Sequence, residues 1–521
     1  MKHVSLLKPC VFAVAMASVP FAAHADDDTD FGLKIEQLLR AQSEKLFGVE
    51  KPLESSAPST VGPYRTAFQT AHDQVLVAHN LKVEYLTREA ANATDMMAFY
   101  PSHNPTHLIT CVEGGRQFLI DGGTPNVYDA GDKLNPSVQR INLHTGAVET
   151  IFRGMTACDG ITATAWGTIL ATEETTSGGA YEIFNPLGVT EQTLIDRASG
   201  MVTDPANIAK RTALPTIAWE GIAVLPTGVV IAGDELRPGT GGADRDGGAI
   251  FKFIPAMPRL VSGPIGNLSE SPLAAGSVYA MQVSCVNNTQ QYGQGCEIGN
   301  AAWVAVNAAT ARNDANAGGA TGYYRPEDLH QDPMYQDELN LDAVRFCWTD
   351  TGNEDGANYA EVMCGVDRAP LTASNTQRTV VVNRFVEGDT DFNSFDNLAF
   401  QPKTGNVYVI EDHDNGDIFA CLPDGMDRDI KTDGCVKILS VKDSSAEPTG
   451  FLFDASGTTA YVSIQHGDDT NMSPVDGYPT DDVLKITGFK LHGKHGKKNG
   501  WQWWYEADSS ERARSRACMD A

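Results

Sequence analysis

One local pattern recurs along most of the chain and restricts its fold more than any other feature. It consists of a short apolar strand, a turn with Pro, Gly, Asn or Asp, and a second apolar strand that usually ends in acid. Five segments show it: Met96–Glu113, Ile161–Glu174, Glu220–Glu235, Asp396–Asp412 and Glu447–Gln465. A looser sixth copy runs from Glu327 to Asp350. Units of this kind bury their faces only against their neighbours. The pattern predicts an all-β fold, a six-bladed β-propeller, with an array of β-sandwiches as the structural alternative.

The sequence outside the repeats predicts the division of the chain. We expect four parts: a signal peptide at 1–25, an N-terminal helix and linker at 26–85, the propeller at 86–484, and a basic, aromatic closing segment at 485–521. The first part has a basic start, a short apolar run and small residues before Asp26, which is typical of export to the periplasm or the medium. An amphipathic helix is predicted from Phe31 to Phe47. The longest insertion, Met257–Thr321, is predicted to be a surface excursion.

The net charge of the chain restricts the kinds of molecule that it can bind. Lys and Arg number 39 against 67 Asp and Glu, a net charge of −28. Without the two lysines of the signal peptide the balance is 37 − 67 = −30. Such a surface repels nucleic acid and anionic membranes and attracts cations. We expect a monomer whose substrate is small, and an anionic substrate requires bound metal or a local arginine.

Acids placed at strand ends suggest where cations would bind. Corresponding strand ends of a propeller converge on one mouth, which would bring together Glu113, Glu173, Glu174, Asp234, Glu235, Glu327 and Asp412. Clustered carboxylates repel one another unless cations neutralise them. Oxygen ligands suit calcium, and an added thiolate suits a transition metal such as iron. The alternative is that these acids lie on separate exposed loops of an acidic protein.

Several motifs resemble those of the PhoX-type alkaline phosphatases. The matching stretches, in order, are Cys158–Glu174, Trp219–Gly221 with Gly233–Glu235, Arg325–Asp328, Phe395–Leu398, Glu447–Gly450 and Ile464–His466. Each motif is short, but their order and spacing from about Asp95 to His466 make the resemblance specific.

The resemblance implies a fold, an activity and a set of residues. The family fold is a six-bladed propeller, and its members use Fe3+ and Ca2+ to hydrolyse phosphomonoesters outside the cytoplasm. By resemblance, Cys158 is an iron-binding thiolate and Arg325 contacts phosphate. The metal carboxylates are then Glu173, Glu174, Glu220 and Glu327, with Glu113, Asp234, Glu235, Asp396, Asp412 and Glu447 as further candidates.

Two other functions stay open at the level of the sequence. One is a calcium-stabilised propeller that binds a ligand or partner without catalysis, and the other is a calcium lactonase. Cys158 favours the phosphatase, because a calcium-only enzyme has no use for a buried thiolate. For Arg325 the alternative is a structural ion pair with a neighbouring carboxylate.

The cysteines predict disulfides in an oxidising compartment. Nine cysteines follow the signal peptide. Proximity in sequence predicts three pairs, which are Cys285–Cys296, Cys347–Cys364 and Cys421–Cys435. We expect a fourth bond between Cys111 and Cys518, with Cys158 unpaired.

Overall fold

The fold was analysed in a computed structural model, which describes residues 31–58, 65–119, 133–239, 247–283, 297–356, 358–423, 434–465, 467 and 472–491. The predicted signal peptide, the predicted Cys285–Cys296 pair, Cys518, His466 and the tail from residue 492 lie outside these residues. The described part is mostly β-structure, as the repeats predict.

The strands follow one another along the described chain with few helices between them. They are β1 Val75–Val77, β2 Lys82–Ala91, β3 Thr94–Tyr100, β4 His107–Val112, β5 Pro136–Asn142, β6 Val148–Arg153, β7 Cys158–Ala163, β8 Thr168–Glu173, β9 Ala180–Phe184, β10 Gln192–Asp196, β11 Met201–Val202, β12 Ile208–Lys210, β13 Trp219–Val224, β14 Val230–Asp234, β15 Ile250–Pro255, β16 Gly276–Val283, β17 Gly299–Val306, β18 Pro326–Gln331, β19 Val344–Asp350, β20 Glu361–Asp367, β21 Val380–Glu387, β22 Phe395–Phe400, β23 Val407–Glu411, β24 Asp417–Cys421, β25 Cys435–Val441, β26 Glu447–Phe453, β27 Thr459–Gln465 and β28 Thr480–Thr487.

The helices are short. They are α1 Phe31–Ala41, α2 Ser43–Phe47, α3 Ala71–Gln74 and α4 Ala311–Gly318, with 3-10 turns at Leu268–Glu270, Pro272–Ala274, Ala308–Thr310 and Glu354–Gly356. The backbone of Gly48 is left-handed, at φ 74°, and its N–H donates to the carbonyl of Glu44 at 3.1 Å, which ends α2. None of the helices in the described residues is long and apolar enough to cross a membrane.

The strands form five sheets. Their orders are β11-β10-β6-β5-β4-β3, β12-β9-β8-β7, β13-β14-β15-β16-β17-β21-β20-β19-β18, β1-β25-β24-β23-β22 and β2-β28-β27-β26. The nine-stranded sheet arises because β17 pairs with β21. The segment predicted as a surface excursion therefore supplies two paired strands, β16 and β17. Alternating apolar residues explain this, because they bury one face of each strand.

The sheets close on themselves in a ring, and we call the space at its centre the channel. One edge strand from each repeat contacts the next in a ring: β3, β7, β13, β18, β22, β26 and back to β3. We call these the inner strands. The N-terminal strands β1 and β2 pair with β25 and β28, so the two ends of the described chain are joined by backbone hydrogen bonds. The paired strands begin at Val75, upstream of the predicted boundary at residue 86. Apolar side chains fill the space between neighbouring sheets.

Three disulfides lie in the described residues. Cys347–Cys364 and Cys421–Cys435 confirm two predicted pairs. Each joins residues that face one another across adjacent antiparallel strands. The third bond, Cys111–Cys158, joins β4 to β7 in the next sheet. It corrects two predictions, the Cys111–Cys518 bond and the free Cys158, because packing of the two sheets brings the sulfurs together.

Candidate metal centre

Five of the six inner strands share one irregularity close to their start. The first paired residue of the inner strand lies opposite the last residue of the strand that follows it. The next register pair lies three residues further along the inner strand but only two residues back along its partner. The first pairs are Thr94 with Val112, Cys158 with Glu173, Trp219 with Asp234, Pro326 with Asp350 and Phe395 with Glu411. This is a β-bulge, which re-aims the side chain of the extra residue. The first residue of every one of these bulges is an acid: Asp95, Asp159, Glu220, Glu327 and Asp396.

A second set of acids follows the strand paired with each inner strand. Glu113, Glu174, Glu235 and Asp412 come directly after the last residues of β4, β8, β14 and β23. Their backbone N–H groups donate to the carbonyls of Ala93, Ala157, Ala218 and Ser394, each of which lies two residues before a bulge acid. The two sets therefore lie beside one another, next to the starts of the inner strands.

Within the described residues, three groups of acids place carboxylate oxygens within 4.8 Å of one another. They are Asp95, Glu113 and Asp159; Glu174, Glu220 and Glu235; and Glu220, Glu327 and Asp396. Glu220 belongs to two of the groups and so links them. We call the site formed by these groups the mouth.

Asp412 and Glu447 adjoin the mouth. Asp412 Oδ2 lies 3.7 Å from Arg325 Nη1. Burial raises the pKa of Glu447 to about 10, and the neighbouring Asp412 adds to the shift. Glu447 does not stand in a bulge like that of the other inner strands, since Gly450 takes that position in β26.

Burial and mutual repulsion make the mouth carboxylates hard to ionise. Burial raises the pKa of Asp95 to about 8, with a further contribution from Glu113. The pKa values of Asp159, Glu220 and Asp396 are also well above normal, first because of burial and then because of neighbouring acids. Each of these acids therefore favours either a proton or a cation beside it.

Arg325 is a cation within the mouth. Its Nε donates to Glu235 Oε1 at 2.7 Å, and its Nη2 lies 2.9 Å from Glu327 Oε1. Burial lowers the pKa of Arg325, but Glu327, Glu235 and Asp412 outweigh that effect, so the net shift is upward. The guanidinium is permanently charged. It also acts on Glu327, whose pKa burial raises only to about 7 because Arg325 opposes the shift.

Two acids predicted as metal ligands have other partners. Glu173 is fully buried, and its two oxygens accept from Arg197 Nε at 2.8 Å and Nη2 at 3.0 Å. Asp234 Oδ2 accepts from Arg312 Nε at 2.7 Å. Within the described residues neither belongs to a converging group. Adjacent residues of a strand point to opposite faces, which explains why Glu174 and Glu235 join these groups while Glu173 and Asp234 bind arginines. A metal-binding role for Glu173 and Asp234 stays a prediction.

The structure also changes the prediction that Cys158 is an unpaired iron ligand. It is buried and bonded to Cys111, so its sulfur is not a thiolate and has no free charge for iron. What remains at the mouth is a set of carboxylate oxygens. Such a set fits hard cations, and calcium best of all, because calcium accepts six to eight oxygen ligands in flexible geometry.

Sequence reasoning missed Asp95 and Asp159. Both are nearly fully buried, and Asp159 Oδ1 has no hydrogen-bond partner in the described residues. The signal was present in the repeats, where an acid precedes the apolar run of each first strand. The prediction used the acids at the ends of the second strands instead.

A known protein family matches the sequence over much of its length. The sequence model of the family described as alkaline phosphatase PhoX matches residues 139–468, more than half of the chain. No curated protein sequence matches the chain.

Solved structures show a more distant similarity. A gluconolactonase from Xanthomonas campestris is 10% identical with a TM-score of 0.38, over 84% of this chain and 99% of that one. An aldose sugar dehydrogenase from Streptomyces coelicolor is 11% identical with a TM-score of 0.36, over 79% and 99%. The Dos1 propeller is 10% identical with a TM-score of 0.31, over 80% and 76%. No functional conclusion is drawn from similarity at this level.

Proposed function

Since the chain belongs to the PhoX family of alkaline phosphatases, we propose that it is an exported, metal-dependent phosphatase. It hydrolyses phosphomonoesters at the mouth of a six-bladed propeller, in which each inner strand begins one blade. The observation that carries the proposal is the convergence of acids from the inner strands and from the ends of their partner strands, with Arg325 in contact with three of them. These acids are Asp95, Glu113, Asp159, Glu174, Glu220, Glu235, Glu327, Asp396, Asp412 and Glu447.

The three converging groups are the places where cations would bind. Asp95, Glu113 and Asp159 would hold one cation. The two groups that share Glu220 would hold others close together. Calcium fits these oxygens, and the Fe3+ implied by the resemblance would have oxygen ligands alone while Cys158 stays in its disulfide. When bound, such cations polarise a phosphate group and make a bound water more acidic.

Arg325 binds the phosphate in this proposal. Its Nη1 has the longest of its acidic contacts, 3.7 Å to Asp412. Cations on Glu235 and Glu327 would weaken the hold of these acids on the guanidinium. Phosphoryl transfer depends mainly on positioning and charge neutralisation. A planar, permanently charged fork beside the cations supplies both for two phosphate oxygens.

The acids of the mouth would orient a phosphomonoester and disfavour uncharged substrates. A phosphomonoester brings two negative charges that the acidic walls repel unless cations and Arg325 offset them. A neutral ester or lactone lacks the charges that these groups recognise. The mouth therefore favours phosphomonoesters over uncharged substrates.

The disulfides fit a protein that acts outside the cytosol. Bonds such as Cys347–Cys364 and Cys421–Cys435 form and persist outside the reducing cytosol. Calcium is also more abundant there than in the cytosol. We propose the periplasm or the medium as the site of action.

The test is a phosphatase assay on the full mature chain with its metals counted. The protein is assayed with p-nitrophenyl phosphate before and after treatment with EGTA, and metal content is measured by mass spectrometry. Glu220→Gln is compared with Glu338→Gln, which removes an exposed acid of the same charge. We expect EGTA and Glu220→Gln to abolish most activity and metal content, and Glu338→Gln to change neither.

Two outcomes would contradict the proposal. A protein that binds calcium but hydrolyses no phosphomonoester at any pH from neutral to alkaline is a binding module. A protein that hydrolyses lactones in preference to phosphomonoesters has the other activity left open by the sequence.

A further inference from the structure

A second group of buried acids lies outside the mouth. It starts from the last residue of the strand paired with an inner strand, which in four of these strand pairs is an acid: Glu173, Asp234, Asp350 and Glu411. All four are almost completely buried. A buried carboxylate at this position requires a partner, and the four strand pairs differ in what they supply.

At three of these strand pairs the partner is a side chain or backbone donor. Glu173 and Asp234 each bind an arginine through two nitrogens. Glu411 accepts from the backbone N–H groups of Asn393 at 3.0 Å and Asp417 at 3.1 Å, and His413 Nε2 lies 3.4 Å away. The protein therefore satisfies this buried position with donors, and in each case a cationic side chain is among them.

Asp350 is the exception. It is 1% exposed, and in the described residues neither of its oxygens has a hydrogen-bond partner. Directly across the ladder stands Glu361, 1% exposed, with Oε2 also unpartnered. Glu297 is fully buried and has no partner on either oxygen within the same residues. Five carboxylate oxygens are thus buried there without a hydrogen bond of good geometry, although the indole of Trp348 is close enough to Asp350 to lower the pKa of that carboxyl.

The charge of this group is also out of balance. Arg384 Nε donates to Glu361 Oε1 and lowers the pKa of both Glu361 and Glu297. Burial still raises these two pKa values to about 7. The pKa of Asp350 is raised by burial and then by Glu361 and Glu297. Three carboxylates and one guanidinium carry 1 − 3 = −2 when ionised, which is the charge that one divalent cation offsets.

We propose that Asp350, Glu361 and Glu297 form a buried calcium site, separate from the mouth, in which a metal ion replaces the cationic side chain found at the other three strand pairs. Carboxylate oxygens are the ligands that calcium prefers. Within the described residues these oxygens do not converge within 4.8 Å as those of the mouth do. Binding therefore draws the facing side chains of β19 and β20 together. The ion would tie β19 to β20 and to the segment at Glu297, behind the strand that carries Glu327.

The site is independent of catalysis, so its test needs no substrate. The full mature chain is stripped with EGTA, dialysed and titrated with calcium alone by calorimetry, and bound calcium is counted. Asp350→Asn and Glu361→Gln are compared with Asp234→Asn, which changes the equivalent residue of a strand pair that has its arginine. We expect the first two variants to bind one calcium fewer per chain than wild type, and Asp234→Asn to bind the same number.

Terbium luminescence locates the ion and guards against a variant that folds poorly. Trp348 lies two residues before Asp350 on β19, on the same face of the strand. Bound Tb3+ should therefore emit when tryptophan is excited, and Trp348→Phe and Asp350→Asn should both lose part of that emission. An equal calcium count in wild type, Asp350→Asn and Glu361→Gln would overturn the site. The three acids would then hold protons instead, and Asp350→Asn would be at least as stable as wild type.

Discussion

Arg325 Nη2 lies 2.9 Å from Glu327 Oε1, so the two residues on either side of Pro326 face each other within the mouth. The backbone of Arg325 is left-handed, at φ 54°. Ala93, Ala157 and Ser394, which hold the same position before other bulges, are also left-handed. A left-handed residue two positions before the bulge acid is thus common to four of these strands. It is an arginine before Glu327 and a small residue in the other three.

Arg325→Lys should separate a phosphate clamp from a structural ion pair. Lysine keeps the charge but loses the planar fork. We expect kcat/KM to fall by about tenfold or more, which is the scale of one lost charge-assisted hydrogen bond. Metal content and melting temperature should stay near wild type. A variant that melts early or loses metal, while its metal-loaded fraction turns over normally, assigns Arg325 a structural role.

Asp159→Asn tests a ligand that the sequence reasoning missed. Replacing this buried carboxylate should reduce the metal content of the protein, with Glu338→Gln as the matched control. In metal-free protein the same change removes an uncompensated buried acid, so the variant should unfold at the same temperature as wild type or higher. Calorimetry with and without calcium measures both effects. Unchanged metal content would remove Asp159 from the site.

The metal-free protein should lose stability as pH rises. Burial raises the folded-state pKa of Asp95 to about 8 and that of Glu327 to about 7, above the ordinary values of 3.8 and 4.5 that apply to the unfolded chain. Between these limits the folded state holds protons that the unfolded state has released. The free energy of unfolding therefore falls with pH, by about 1.4 kcal/mol per pH unit for each retained proton. Melting curves in EGTA from pH 5 to 9 measure this.

Bound calcium should reverse part of that trend. Cations displace the retained protons, so the stabilisation by calcium should grow as pH rises through the same range. Metal-free protein that gains stability between pH 5 and 8 would show that the mouth carboxylates are already ionised.

Arg197→Ala should weaken the fold without emptying the mouth. It leaves Glu173 buried without its charged partner, which costs roughly 3 kcal/mol in the free energy of unfolding. The double variant with Glu173→Gln should recover part of the loss, since the unpaired charge is then gone. Calcium content should not change in either variant. Loss of calcium would return Glu173 to the list of metal ligands.

The Cys111–Cys158 disulfide has a consequence for the visible absorption spectrum of the protein. While the bond is intact no thiolate–iron absorption should appear. Cys111→Ser breaks the bond, exposes one free thiol at Cys158 to titration after denaturation, and should cost about 2–4 kcal/mol of stability. The Cys111→Ser/Cys158→Ser double variant is the control for the lost bond alone. Non-reducing peptide mapping that finds Cys158 as a thiol in the native protein would restore the iron ligand expected from the resemblance.

The sequence by itself determined the repeated two-strand units, the acidic strand ends and two of the disulfides. Each of these depends on residues close together in the chain. The pairs Cys347–Cys364 and Cys421–Cys435 are of this kind, since each spans two adjacent strands. Alternating apolar residues are also a local property, and they predict strands wherever one face is buried.

Only the tertiary structure decided which acid enters the channel. Glu173 and Glu174 are neighbours of the same type, yet one binds Arg197 and the other joins the mouth, because the strand pleat turns them to opposite faces. The partner of Cys158 was equally out of reach, since Cys111 lies 47 residues away on another sheet. The packing of the sheets decides such contacts, and it brings together side chains that no local pattern in the sequence connects.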